Sequence, residues 1–128
     1  MKNLSQIGQQ YFQSLQEGNV DAICNLFAEE GIINSPLYGL KHPRAFYTEL
    51  MEDSGTSTIK MKRIFVDEEK GDLAIWFRYD WGLGNGKRVV FEGVDVFELN
   101  EDGKIKELTI IYDTIHTRPM VEEMKNGR

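Results

Sequence analysis

The stretch RVVFEGVDVFEL, residues 88–99, alternates in the way that is typical of a β-strand. Successive side chains of a strand point to opposite faces, so Asp95 shares its face with two phenylalanines. A carboxyl group on such a face must be paired, hydrogen-bonded or protonated with a raised pKa, because burying its charge alone is too costly. Asp95 therefore indicates either a ligand pocket or a structural ion pair with Arg78 or Arg88 on a neighbouring strand.

Further alternating runs surround this stretch, at residues 56–66, 73–83 and 104–115. The turn Gly-Asn-Gly at 84–86 favours a type I′ hairpin between the run 73–83 and the opening stretch. In the run 56–66 the alternation places three apolar side chains on one face, namely Ile59, Met61 and Phe65. Together the runs predict a series of long antiparallel strands.

The chain before residue 56 has helical periodicity instead. Apolar residues at helical spacing predict a first helix over 4–17 and a second from Val20 to about Ala28. A short strand at 32–35 ends at Pro36, since proline cannot continue a strand ladder. After a loop, Pro43 opens a third helix, because proline is well tolerated in a first helical turn.

Helices followed by antiparallel strands predict an α+β fold with the helices against one face of the sheet. We expect residues 1–128 to form one domain, with 117–128 either a short helix or disordered. The last strand is apolar on both faces, with Ile111 and Ile115 on the side away from the helices. This outer face needs a cover, which predicts a homodimer.

Composition excludes several classes of function. A net charge of −6 and the lack of a strong basic cluster argue against a nucleic-acid partner. Cys24 is the only cysteine, so an intrachain disulfide and a cysteine-based zinc site are excluded, and the separated His42 and His116 do not suggest a metal. No apolar run approaches the roughly 18 residues of a membrane span, and the first residues lack a signal-peptide core. We therefore expect a cytoplasmic protein without a metal or other cofactor.

The chain resembles the nuclear-transport-factor-2-like superfamily, and within it the group of SnoaL-like and ketosteroid-isomerase-like proteins. The resemblance extends over roughly residues 8–115 and rests on Tyr11, GNVDAI at 18–23, FAEE at 27–30, SP at 35–36, VDVF at 94–97 and DGKI at 102–105. It implies a cystatin-like architecture, in which a curved, mixed sheet is wrapped by three N-terminal helices into a cone with a pocket. It does not by itself fix a function, because one fold hosts many activities.

The resemblance also assigns roles to individual positions. Tyr11 corresponds to the oxyanion-hole tyrosine of the isomerases, and Asp95 to the partner acid that is kept protonated so that it can donate a hydrogen bond. Tyr112 corresponds to a pocket tryptophan. The general-base aspartate corresponds to Ser35, and a neutral hydroxyl without an adjacent base cannot take a proton from carbon as a carboxylate can.

The expected ligand is a small, mostly apolar molecule with a carbonyl or phenol oxygen, bound by Tyr11 and Asp95. The expected pocket walls are Phe27, Ser35, Phe46, Leu50, Phe77, Tyr79, Phe91, Leu108, Ile110 and Tyr112. Three hypotheses stay open: an isomerase or lyase with a replacement base, a non-catalytic binding protein, and a dimerisation module whose cavity is filled by aromatic side chains.

Overall fold

A computed structural model describes residues 3–127 of the chain. Within that range the helices and strands follow one another in the order α1 (Leu4–Glu17), α2 (Val20–Cys24), β1 (Phe27–Ser35), β2 (Gly39–Lys41), α3 (Pro43–Asp53), β3 (Thr58–Asp67), β4 (Asp72–Gly82), β5 (Arg88–Leu99), β6 (Ile105–Ile111) and α4 (Thr117–Asn126). None of these helices is long and apolar enough to cross a membrane.

The strands of the described part form one six-stranded sheet in the order β2-β1-β6-β5-β4-β3. Neighbouring strands are antiparallel except β1 and β6, which are parallel. The sheet is curved and mixed, and the helices cover its inner face. The predicted α+β class with a cone-like, cystatin-like architecture is confirmed.

Helix α1 is held close to the inner face of the sheet, and this contact sets the position of Tyr11. Asn3 begins the helix by accepting a hydrogen bond from the Ser5 amide at 2.9 Å, and Gly18 ends it with a left-handed backbone, φ 68°. A Cβ at Gly8 would lie 2.5 Å from Ile75 Cδ1. Only glycine lets the helix approach β4 this closely, one turn before Tyr11.

The predicted second helix is too long and the predicted short strand is too short. Helix α2 ends at Cys24, and β1 already begins at Phe27, which pairs with Ile105 of β6. The register shifts between Phe27 and Ile32, and a Cβ at Gly31 would meet the Ala28 carbonyl oxygen at 2.9 Å. Gly31 thus permits a bulge inside β1. In the sequence alone, a glycine at this position looks like the end of a helix.

Strand β3 departs from simple alternation. Ile59 and Met61 are partly buried against the core as predicted, but the register with β4 shifts between Met61 and Arg63. The extra residue reverses the faces, so Ile64 packs inward and Phe65 is 50% exposed. The prediction that Phe65 shares a face with Ile59 and Met61 is wrong for this reason.

The C-terminal segment forms helix α4 after β6 ends at Ile111. Val121 and Met124 of this helix are buried. The Arg118 guanidinium donates to the Pro36 carbonyl oxygen at 2.6 Å, and the Lys125 ammonium lies 2.6 Å from the Glu49 carboxylate. Helix α4 is therefore tied both to the segment that follows β1 and to α3.

Candidate functional site

A cavity of about 50 Å³ lies between the helices and the inner face of the sheet. Its walls are mostly aromatic and aliphatic, with a few polar groups. The lining residues are Tyr11, Phe12, Leu15, Ser35, Tyr38, Phe46, Leu50, Phe77, Tyr79, Trp81, Phe91, Asp95, Ile110 and Tyr112. Helices α1 and α3, the end of β1 and the strands β4 to β6 all contribute to it.

Asp95 is a buried acid in the wall of this cavity. It is 3% exposed, and its buried Oδ1 has no hydrogen-bond partner among the described residues. Burial raises the pKa of this carboxyl group well above its usual range, because no charge near it stabilises the ionised form. Burial therefore favours the protonated form of Asp95, which can donate a hydrogen bond.

Neither arginine that was considered as a partner reaches Asp95. Arg88 bonds to the Asp80 carboxylate at 2.9 Å, and Arg78 lies in register with Glu92 on the opposite face of the sheet. The ion-pair alternative for Asp95 is not realised within residues 3–127.

Tyr11 contributes the second polar group, and a second tyrosine supports it. The Tyr11 and Tyr47 hydroxyl oxygens are 2.5 Å apart, and both side chains are buried. Burial raises the pKa of Tyr11 well above its usual value, and the negative charge that Asp95 carries when ionised raises it further. Tyr11 therefore stays a phenol that is coupled electrostatically to Asp95.

Tyr47 was not predicted as a site residue. It belongs to the buried stripe of α3, and it does not line the cavity. The available signal was its hydroxyl, since a buried tyrosine usually finds a hydrogen-bond partner for its O–H.

Ser35, at the end of β1, holds the turn that follows it. Its Oγ accepts hydrogen bonds from the backbone amides of Leu37 at 3.2 Å and Tyr38 at 3.0 Å. A hydroxyl oxygen has two lone pairs, and both are occupied here. Ser35 therefore cannot take a proton from a ligand.

Tyr38 brings a second buried acid close to the cavity wall. Its hydroxyl donates to Asp53 Oδ2 at 2.6 Å, and the Lys125 ammonium lies 3.3 Å from the same oxygen. Burial, and next the hydrogen bond to Asp53, raise the pKa of Tyr38. This phenol is engaged away from the cavity.

Most predicted pocket residues line the cavity, but two do not. Phe27 and Leu108 are buried in the core without lining it. Leu108 pairs with Phe97 and Ile33, one step along the sheet from the Asp95–Ile110 pair, and the Phe27 ring packs 6.2 Å from the Tyr47 ring. Phe27 and Leu108 were predicted to line the pocket, but both are packed in the core beside it.

The cavity also has walls that were not predicted, namely Phe12, Leu15 and Tyr38. Trp81 follows Phe77 and Tyr79 on the same face of β4, and it also lines the cavity, as the alternation indicates. His42 caps α3 by accepting from the Arg44 amide at 3.4 Å. No group of three or more His, Cys, Asp or Glu side chains in residues 3–127 is arranged to hold a metal ion.

The sequence matches the family model of the SnoaL-like domain over residues 9–108. This is most of the chain, and the protein belongs to the SnoaL-like family of the nuclear-transport-factor-2-like superfamily. A search of curated proteins finds no significant match.

Solved structures with the same fold include proteins with and without a known role. SalBIII, described as an epoxide hydrolase/cyclase-like enzyme in pyran ring formation of salinomycin, is 23% identical with a TM-score of 0.76, covering 86% of this chain and 90% of its own. An NTF2-like protein of unknown function from Cytophaga hutchinsonii is 18% identical with a TM-score of 0.70, covering 94% and 96%. A protein with a ketosteroid isomerase-like fold from Catenulispora acidiphila, in complex with trimethylamine, is 11% identical with a TM-score of 0.74, covering 84% and 85%. Similarity at this level establishes the fold alone.

Proposed function

We propose that this protein binds a small, mostly apolar molecule in its cavity by a carbonyl or phenol oxygen, which accepts hydrogen bonds from Tyr11 and Asp95. The observation that carries the proposal is the buried, unpartnered Oδ1 of Asp95 in the wall of that cavity. An unsatisfied buried polar group costs free energy, roughly 1–3 kcal/mol. A bound acceptor oxygen removes this cost.

The electrostatics support a donor role for both groups. A protonated carboxyl and a phenol each present an O–H, and the hydrogen bond with Tyr47 fixes the position of the Tyr11 hydroxyl. In an aromatic cavity such donors interact more strongly with an oxygen than they would in water. The same pair would stabilise negative charge that develops on that oxygen.

The size of the cavity limits the ligand. Pockets for drug-sized molecules are typically about 300–1,000 Å³, and this one is about 50 Å³. The Phe91 and Tyr112 rings stack 4.1 Å apart in its wall. The cavity is smaller than the one of about 150 Å³ that holds benzene in an engineered protein core, so binding of a single ring requires this stacked pair or its neighbours to move.

A non-catalytic binding protein is the second candidate, and Ser35 favours it. Both lone pairs of the Ser35 hydroxyl are occupied, so the position that holds the base in the isomerases has none here. Catalysis by proton transfer from carbon would need another base in the cavity. SalBIII is described as epoxide hydrolase/cyclase-like, and chemistry of that kind would use the two donors as acids.

We also propose that two copies pair through the outer face of the sheet. Trp76, Val94 and Ile111 lie in register on three neighbouring strands, and Ile111 is 54% exposed. This apolar row is the surface that needs a cover. Ile111→Lys should convert a dimer to a monomer in sedimentation equilibrium, whereas a monomeric wild-type protein would refute the pairing.

Binding is tested by titrating the protein with 4-nitrophenol and following its absorbance. We expect Tyr11→Phe and Asp95→Leu each to weaken binding by at least about fivefold, as the loss of one hydrogen bond predicts. Asp95→Asn should retain much of the affinity because an amide also donates. Trp76→Phe on the outer face is the control, and equal affinities for all four variants would refute the proposal.

The base position is tested with Ser35→Asp. A carboxylate can accept the same two amide hydrogens and adds a base to the cavity, which typically contributes about 10²–10⁴-fold to a rate. We expect the variant to exchange the α-protons of cyclohexanone with deuterated water faster than the wild type, as followed by NMR. A folded variant with no gain would contradict the placement of the ligand carbonyl.

A further inference from the structure

A second hydrogen-bond donor lines the cavity on the same inner face of the sheet as Asp95. Ser35 Oγ accepts from the amides of Leu37 and Tyr38, which uses both of its lone pairs and leaves only its hydrogen. Within the described residues no acceptor takes that hydrogen, and Ser35 is buried in the cavity wall. Its O–H is thus a second group that lacks a partner in the same cavity as the unpartnered oxygen of Asp95.

The strand register fixes how far apart the two groups lie. One residue beyond the Asn34–Thr109 pair, Ser35 falls beside Ile110, and Ile110 pairs with Asp95. Ser35 and Asp95 are therefore separated by two strand spacings, about 10 Å between their backbones. All three side chains line the cavity.

We propose that Ser35 is a second anchoring residue, and that the ligand is a single ring with acceptor oxygens on opposite edges, one held by Tyr11 and Asp95 and the other by Ser35. This inference rests on the binding function proposed above and specifies its ligand class. Cyclic 1,4-diketones and related quinone-like rings have this arrangement.

The separation of Ser35 and Asp95 favours ligand oxygens on opposite edges of a ring over oxygens on adjacent ring atoms. Donors on side chains that project from backbones about 10 Å apart place the two accepting oxygens several ångström from each other, each roughly 2.7 Å from its donor. Oxygens on adjacent ring atoms are too close to reach both donors. The apolar Ile110 side chain between the donors, and the stacked Phe91 and Tyr112, suit the carbon atoms of the ring.

The test compares cyclohexanone with cyclohexane-1,4-dione, which differ by one carbonyl group, in NMR titrations. We expect the wild type to bind the dione about fivefold more tightly, which is the effect of one neutral hydrogen bond. Ser35→Ala should remove this preference, which means that it weakens binding of the dione about fivefold more than binding of cyclohexanone. Ser35→Thr retains the hydroxyl and should retain the preference.

The outcomes separate the two proposals. If Ser35 only holds the turn, Ser35→Ala changes the affinity for both ligands by the same factor, or changes neither. This result refutes the anchoring role of Ser35 and leaves the proposed binding function standing. Equal affinity of the wild type for both ligands also refutes it. If the wild type binds neither ligand, or if Tyr11→Phe changes neither affinity, the binding function itself is refuted.

Discussion

Two buried aspartates, Asp53 and Asp95, have opposite surroundings. Asp53 is 1% exposed. It accepts a hydrogen bond from Tyr38 and forms an ion pair with Lys125. Asp95 is 3% exposed, and no side chain within residues 3–127 forms a hydrogen bond or an ion pair with it. Burial alone therefore does not indicate a binding site. The difference in partners separates an acid that supports the fold from one that is available to a ligand.

The surroundings follow from where the two residues lie. Asp53 ends α3 and faces α4, which supplies the ammonium group of Lys125. Asp95 lies in the middle of β5, where its neighbours on the inner face are apolar. A positive charge near Asp95 would pair with the carboxylate and remove the donor.

Asp53→Asn should have the largest effect. The change keeps the shape but removes the charge that binds Tyr38 and Lys125, and we expect a loss of about 2 kcal/mol in the free energy of unfolding. Urea denaturation at neutral pH measures it. Asp102→Asn in the exposed turn is the matched control, and it should stay within about 0.5 kcal/mol of the wild type. Equal stability of both variants would mean that the Asp53 network is not structural.

Lys125→Met should have a smaller effect of the same sign, because this ammonium is partly exposed to solvent. We expect a loss of about 1 kcal/mol, reduced by screening in water. The hydrogen bond to Lys125 lowers the pKa of Glu49, so the stabilisation is present above the ordinary glutamate pKa and is lost as the pH falls through the lowered value.

Thermal denaturation of Lys125→Met at neutral and at acidic pH measures this dependence. The difference from the wild type should shrink in acid, while Lys106→Met on the exposed surface should show little difference at either pH. A loss that does not depend on pH would point to packing of the helix instead of its charges.

Asp95→Asn should have the smallest effect on stability and the opposite sign. Because folding raises the pKa of Asp95, ionisation opposes the folded state as the pH rises from about 4, the unfolded value, through the folded value. The amide cannot ionise and so escapes this cost. Its own buried N–H groups add a desolvation cost of roughly 1–3 kcal/mol, so we expect only a small net gain at about pH 8 and none in acid. Urea denaturation across this range tests the sign. A loss as large as that of Asp53→Asn would show that Asp95 has a stabilising partner.

The sequence predicts the contrast only in part. Local alternation is sufficient to place Asp95 on an apolar face, and the family resemblance adds Tyr11. Tyr47 is missed because its position on the stripe of α3 does not tell which distant residue its hydroxyl meets. The limits of β1 and the reversal in β3 depend on pairing with partner strands, through Gly31 and the register shift after Met61. Tertiary contacts determine these strand limits and registers, so the periodicity within one segment does not predict them.

Helix α4 has a consequence for comparing members of the family. The family match ends at residue 108, yet the cavity extends to Tyr112, and Lys125 anchors the acid that fixes Tyr38 in its wall. Related chains aligned only over the shared domain would look alike while differing in this final segment. Variation there would change the cavity wall at Tyr38 and Tyr112 without altering Tyr11 or Asp95.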